Sequence, residues 1–152
     1  MSNNSTNFLQ SINAFVDKAK ANSELIVKKG CINVLQDIIR MSPVGQPAIW
    51  KSKPPKNYTG GRFRGNWQVS FDIPITNEID RIDPTGVETL KDGIEQIGKF
   101  TYRVKSVYFT NNLPYSVALE FGHSTQAPNG MVRISALNAQ THFEKSAQEV
   151  NT

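Results

Sequence analysis

The chain has 152 residues, 38% of them hydrophobic and 20% charged, with a formal net charge of +4 and a pI near 9.3. That length holds one domain with a proper core. The charge is too small for a protein that coats DNA, yet large enough to raise nucleic acid as a partner. A single cysteine excludes an intrachain disulfide framework, and no apolar run approaches the roughly 18 residues of a membrane helix. The first residues lack the basic region and apolar stretch of a signal peptide, so cytoplasmic synthesis is expected, with no membrane partner.

Residues 6–41 read as one long helix. Phe8, Ile12, Phe15 and Ala19 recur at steps of four and three, and Ile26, Cys31, Val34 or Leu35, and Ile38 continue the stripe. Ser42-Pro43 stops it, because proline disfavours helix in the residue before it. At 1.5 Å per residue such a helix is about 50 Å long, more than a small domain needs. Its far half either projects freely or packs on a neighbouring subunit. Asn22-Ser23 and Gly30 are the places where it would bend. Cys31 reads as a small buried hydrophobe.

Residues 44–66 form a basic loop, with Lys51, Lys53, Lys56, Arg62 and Arg64 and no acidic residue before Asp72. Basic side chains interleaved with aromatics could pair phosphates and stack bases. Equally, the arginines could pair with carboxylates of this or another subunit. The glycines are not a phosphate loop, since the Lys-Ser/Thr ending is missing. The remainder, 67–152, is read as sheet and helices. Trp67, Val69, Phe71, Ile73 and Ile75 alternate with polar residues as in a strand with one buried face, and Pro74 places its end at an edge. Asn77–Pro84 reads as a loop. Thr85 and Glu88 have the spacing of a capping box, and Val87, Leu90, Ile94 and Ile97 follow as a helical stripe that Gly98 ends. A second strand is expected over 102–110. For 115–122 both periods fit, and flanking Asn112–Pro114 and Gly122 favour a short helix. Val132, Ala136, Ala139, Phe143, Ala147 and Val150 define a C-terminal helix. The expected fold is therefore α+β: one domain over 1–152, a small antiparallel sheet packed with a long N-terminal helix, a middle helix and a C-terminal helix.

Candidate chemistry is sparse. His123 and His142 are the only histidines, and neither stands in a motif that orients a nucleophile and base. His123 reads as a surface or interface hydrogen-bonding residue and His142 as an exposed helix residue. With Cys31 they are too few for zinc, and the acidic residues of 77–83 lack the pattern of a calcium loop. Glu120, flanked by Leu119 and Phe121, is the carboxylate most able to act as a base, but without a partner in its motif it is expected to pair with Arg64 or Arg133. No enzyme, cofactor or metal is expected.

Two stretches together carry a resemblance. Ser42-Pro43-Val44 and, after an insertion, Thr59-Gly60-Gly61-Arg62-Phe63-Arg64-Gly65-Asn66-Trp67 form the first. Asn111–Tyr115 with Leu119–Ser124, followed by Gln126–Arg133, form the second. In order and spacing these resemble the neck, tail-completion and minor tail proteins of tailed bacteriophages, and with the first and last helices the likeness covers nearly the whole chain. The chain departs from the family pattern at Gly45–Tyr58, where the family has a short turn. The resemblance implies a structural virion protein at the head–tail junction. Its implied partners are a tail terminator and a head-closure or connector protein, in a ring of copies around the channel of packaged DNA. It brings no catalytic residues. On that reading Arg62, Arg64, Trp67, Tyr115, Glu120, Phe121, His123 and Arg133 shape an interface seam, and Arg64–Glu120 is its first expected contact. The rival expectation is a nucleic-acid-binding domain using Lys51, Lys53 and Lys56. A phage nuclease or peptidoglycan hydrolase is a third, which the lack of histidine and carboxylate motifs disfavours.

Overall fold

The computed structural model describes residues 2–152. Four α-helices and two strands follow in order, with short 3-10 turns at Pro47–Ile49 and Arg64–Asn66 between the first two: α1 (Ser2–Met41), β1 (Gln68–Phe71), α2 (Val87–Gly98), β2 (Val107–Thr110), α3 (Ser116–Glu120) and α4 (Val132–Asn151). The fold is α+β and helix-dominated, with one two-stranded antiparallel sheet in which Gln68 pairs with Thr110 and Phe71 with Val107. No helix among the described residues is long and apolar enough to cross a membrane.

The first helix is continuous for 40 residues, about 60 Å, with no break at Asn22-Ser23 or Gly30. The Ser23 hydroxyl returns to the Ala19 carbonyl. Gly30 is where α4 crosses closest: a Cβ there would run into the Phe143 ring, so glycine serves close approach of the two helices. Gly30→Ala is therefore expected to destabilise the fold, because overpacking by about 1–3 kcal/mol outweighs the roughly 1 kcal/mol that alanine returns as helix propensity. A thermal melt checks it; a raised midpoint would mean that Phe143 swings aside without cost.

Only the C-terminal half of α1 enters the core. Cys31, Val34, Leu35, Ile38 and Ile39 join Phe63, Trp67, Val69, Ile97, Leu113, Ala127 and Met131 in one cluster. Burial raises the Cys31 thiol pKa to about 11, which keeps it a protonated, inert hydrophobe. The helix α4 lies along the same half, antiparallel to α1. His142 Nε2 contacts Asp37 Oδ2 at 2.6 Å, and Lys29 reaches Glu149 at 3.0 Å. His142 is thus half-buried between helices rather than exposed. The first turns of α4 present a face rotated from the expected stripe, with Met131 and Ser135 buried and Val132 and Ala136 facing outward; further along, Ala139 and Phe143 pack against the core as expected.

Both strands are shorter than the alternation suggested. Asp72 adopts φ 63°, and its carboxylate takes the amides of Lys105 and Ser106 at 2.8 and 3.0 Å. The Asp72 amide still donates to the Ser106 carbonyl at 2.9 Å, but beyond it the ladder ends, Pro74 has no amide to resume it, and Ile73 is left exposed. In α2 the inward face is Thr89, Gly93 and Ile97, with Val87 and Ile94 outside. Gly93 sits so close against Leu35 that any Cβ would collide with it, and the helix turns its smallest residue, not Ile94, to α1.

Candidate functional site

The two stretches that carry the resemblance lie side by side. At the end of α1 the Ser42 hydroxyl donates to the Ile38 carbonyl at 2.7 Å and accepts the Trp67 indole N–H at 2.7 Å. From the same short turn, Arg64 spreads its guanidinium over three carbonyls: Ser42 at 2.7 Å, Pro84 at 2.7 Å and Arg40 at 3.3 Å. It neutralises the orphan acceptors at the C-terminus of a helix, where a cation is favoured. Phe63 packs edge-on to Trp67 at 6.0 Å and against Tyr115 at 6.2 Å. The Asn111 amide donates to the Phe63 carbonyl at 2.9 Å, and its side-chain oxygen accepts from the Ser116 hydroxyl at 3.1 Å. Tyr115, at the start of α3, has its phenol pKa raised, burial being the main cause.

Glu120 ends α3 and caps α4. Its carboxylate accepts the backbone amides of Met131, Val132 and Arg133 at 2.8, 2.9 and 3.0 Å and the Arg133 Nε at 3.1 Å. Arg133 also donates to the Glu120 carbonyl at 2.7 Å, with its guanidinium 4.9 Å from the centre of the Phe121 ring. An anion is favoured at a helix N-terminus because unpaired amides and the dipole converge there, and here the chain supplies its own. Burial pushes the Glu120 pKa up, but the three amides and Arg133 outweigh it and hold it below the ordinary carboxylate value. Gly130, at φ 84°, leaves room for this carboxylate, since a Cβ there would overlap it.

The expected Arg64–Glu120 contact is therefore replaced by two separate ones. Arg64 braces the end of α1, and Glu120 pairs with Arg133, the alternative its flanking sequence left open. Reversing both charges, Arg64→Glu with Glu120→Arg, is expected to be at least as damaging as either change alone, measured by urea unfolding. Recovery in the double variant would place the two groups in contact after all.

Between the 44–60 excursion and the 115–126 segment lies an open cleft of about 760 Å³, walled by Trp50, Tyr58, Phe63, Tyr115 and Leu119, with Arg62 and His123 among its polar groups. The excursion is held at its root. The Gln126 side chain donates to the Val44 carbonyl at 2.8 Å and accepts the Val44 amide at 3.1 Å, and Trp50 and Tyr58 pack ring to ring at 4.7 Å. Arg62 pairs loosely with Glu78 at 3.6 Å. Lys51, Lys53 and Lys56 are exposed, and no carboxylate pairs with them among the described residues.

Of the eight proposed interface residues, the fold consumes three internally. Trp67 is buried, Arg64 is spent on carbonyls and Glu120 on a helix end. Tyr115, Phe121, His123, Arg62 and Arg133 remain at the surface, with Val117 beside Phe121 on the outer side of α3. Two structural residues escaped the sequence reading. Asp83, buried, accepts Gly86 N at 2.9 Å, Thr89 N at 2.8 Å and the Thr89 hydroxyl at 2.7 Å. It caps α2 in place of the expected Thr85–Glu88 box, and the signal available was its place ahead of Pro84-Thr85-Gly86, a turn in which Asp commonly accepts backbone amides. Arg81 ties the Gly65 and Trp67 carbonyls to Asp92. No group of three or more His, Cys, Asp or Glu among the described residues could hold a metal ion. Comparison with known protein families, with curated proteins and with solved structures finds no match.

Proposed function

We propose that this chain is a structural subunit of a tailed-bacteriophage virion, of the neck or tail-completion kind, that helps join tail to head around the DNA channel. The observation that carries the reading is the meeting of the two motif stretches. Separated by more than 40 residues in the chain, they share the Asn111–Phe63 hydrogen bond and the Phe63–Tyr115 contact. They brace a unit that turns α3, with Val117 and Phe121, outward. Such a unit suits contact with a tail terminator, a head-closure protein and further copies in a ring, and it asks for no catalysis, cofactor or metal. Phage made without this chain are expected to accumulate DNA-filled heads beside free tails, seen by negative-stain microscopy. Joined, infectious particles would overturn the reading.

A second reading, a nucleic-acid contact, is favoured by one observation: Lys51, Lys53 and Lys56 stand exposed and unpaired beside Trp50. It predicts DNA retention that weakens steeply with salt and is lost when the three lysines are neutralised.

A further inference from the structure

The first half of α1 is barely covered by its own chain: Lys20 lies 4.7 Å from the centre of the Tyr102 ring, and Phe15 shares a cleft with Asn151 of α4. Every side chain from Asn4 to Ala21 is exposed, and Phe8, Leu9, Ile12, Phe15 and Val16 are accessible to between 39% (Val16) and 70% (Phe15). On a helix of 3.6 residues per turn these five fall within about 120° of arc, with Ile12 at its centre. Residues 2–16 contain no charged side chain, and their asparagines, serines and threonine are poor helix formers. A projecting helix of this kind is marginal alone in water and is expected to need a partner.

The pattern specifies that partner. The five apolar positions are spaced one, three, three and one, an order that reads the same in both directions. An interface about a two-fold axis requires one patch that complements itself. An axis through Ile12 sets Ile12 against its own copy, Leu9 against Phe15 of the second copy, and Phe8 against Val16. Beyond them Ser5 meets Ala19. Asp17 falls opposite Asn7, Lys18 opposite Thr6 and Lys20 opposite Asn4, so no like charges oppose one another.

The rest of the chain already shows where such a helix would lie. Gly30, which faces Phe143 of α4, is about five full turns beyond Ile12 and hence on the same face. α4 runs antiparallel to α1 and ends at Asn151, which lines a cleft with Phe15, Asn22 and Ile26. A second copy's arm, centred on Ile12, would begin opposite Asn22-Ser23 and take up the line that α4 leaves. Taking aromatic side chains at 150–250 Å² each, the five residues expose roughly 500 Å² per arm, so pairing would cover about 1,000 Å², the lower bound for a specific interface.

We propose that this chain pairs with a second copy of itself, the two N-terminal halves of α1 lying antiparallel about a two-fold axis at Ile12. The pairing does not depend on the virion reading and is measured on the purified full chain. Light scattering after size exclusion is expected to give twice the chain mass, and Ile12→Asp, which sets two carboxylates on the axis, to give the monomer mass with the thermal midpoint of the body kept. Under mild oxidation Ile12→Cys is expected to cross-link to its own copy. Phe8→Cys alone should not, whereas Phe8→Cys with Val16→Cys should. Cys31 is buried and stays out of the reaction. A monomeric parent chain, cross-linking by Phe8→Cys alone, or an oligomer indifferent to Ile12→Asp would each overturn the proposal.

Discussion

Asp83→Ala is expected to remove about 4 kcal/mol of stability, the range seen when one partner of a buried charged network is deleted. That is a large share of the roughly 5–15 kcal/mol that holds a domain together. With a urea slope of about 2 kcal/mol per molar, the unfolding midpoint should fall by about 2 M. The reason is geometric. A single buried carboxylate satisfies the amides of Gly86 and Thr89 and the Thr89 hydroxyl, and Thr85 adds its own hydroxyl at 3.2 Å. Without it, buried donors at the start of α2 face no acceptor. Asp83→Asn keeps the shape but replaces one acceptor with an amine that points at donors, and should recover less than half of the loss. A midpoint within 0.5 M of the parent, on that same slope, would show that water enters and takes over the cap.

The second large effect is expected at Glu120. Glu120→Gln should cost about 2 kcal/mol through the lost charge–helix interaction and weakened cap. The loss is local, so exchange of the Met131, Val132 and Arg133 amides should accelerate by about 30-fold where they open without global unfolding. Unchanged exchange at these three amides would overturn the capping role. Acid gives the same test without mutation. Burial pushes the pKa of both Asp83 and Glu120 up, but their hydrogen bonds outweigh it and both lie below ordinary carboxylate values. The unfolded chain therefore binds these protons first as pH falls. Their contribution is complete above the ordinary carboxylate range of about 4 and declines as pH drops through the lower folded values. The parent should lose stability steeply below about pH 4, and the Asp83→Ala and Glu120→Gln variants less steeply.

These two carboxylates also mark the limit of what the residues disclosed in advance. The long helix and the two-stranded sheet follow from periodicity, the stop at Ser42-Pro43 from proline, and the short helix at 116–120 from the residues that flank it, all of which act locally. Asp72, Asp83 and Glu120 act by accepting amides that the chain brings to them from other turns, and no spacing rule records where those amides will be. The Arg64–Glu120 expectation failed for the same reason: charge alone matched them, whereas helix ends decided both. The face of α2 was misjudged in part: Leu90 and Ile97 pack inward as expected, but hydrophobic periodicity rewards Ile94, while the packing rewards the absence of a side chain at Gly93 against Leu35. The surface residues, among them Lys51, Phe121 and His123, were legible as candidates because none of them belongs to an apolar stripe that the core takes up.

The root of the 44–60 excursion has a consequence for how this chain can change. Gln126 grips Val44 on both its amide and its carbonyl, and a Cβ on Gly60 would strike the Gly45 carbonyl, so the excursion leaves and re-enters the body at one pinched point. Loop closure costs little more for a long loop than for a short one when its ends already meet. Away from Trp50 and Tyr58, which wall the cleft against the body, the fold therefore depends little on what hangs from that point. The segment between Gly45 and Gly60 is a socket into which sequence of another length or charge can be set, and the fold that carries it can stay as it is while the surface it presents is rewritten.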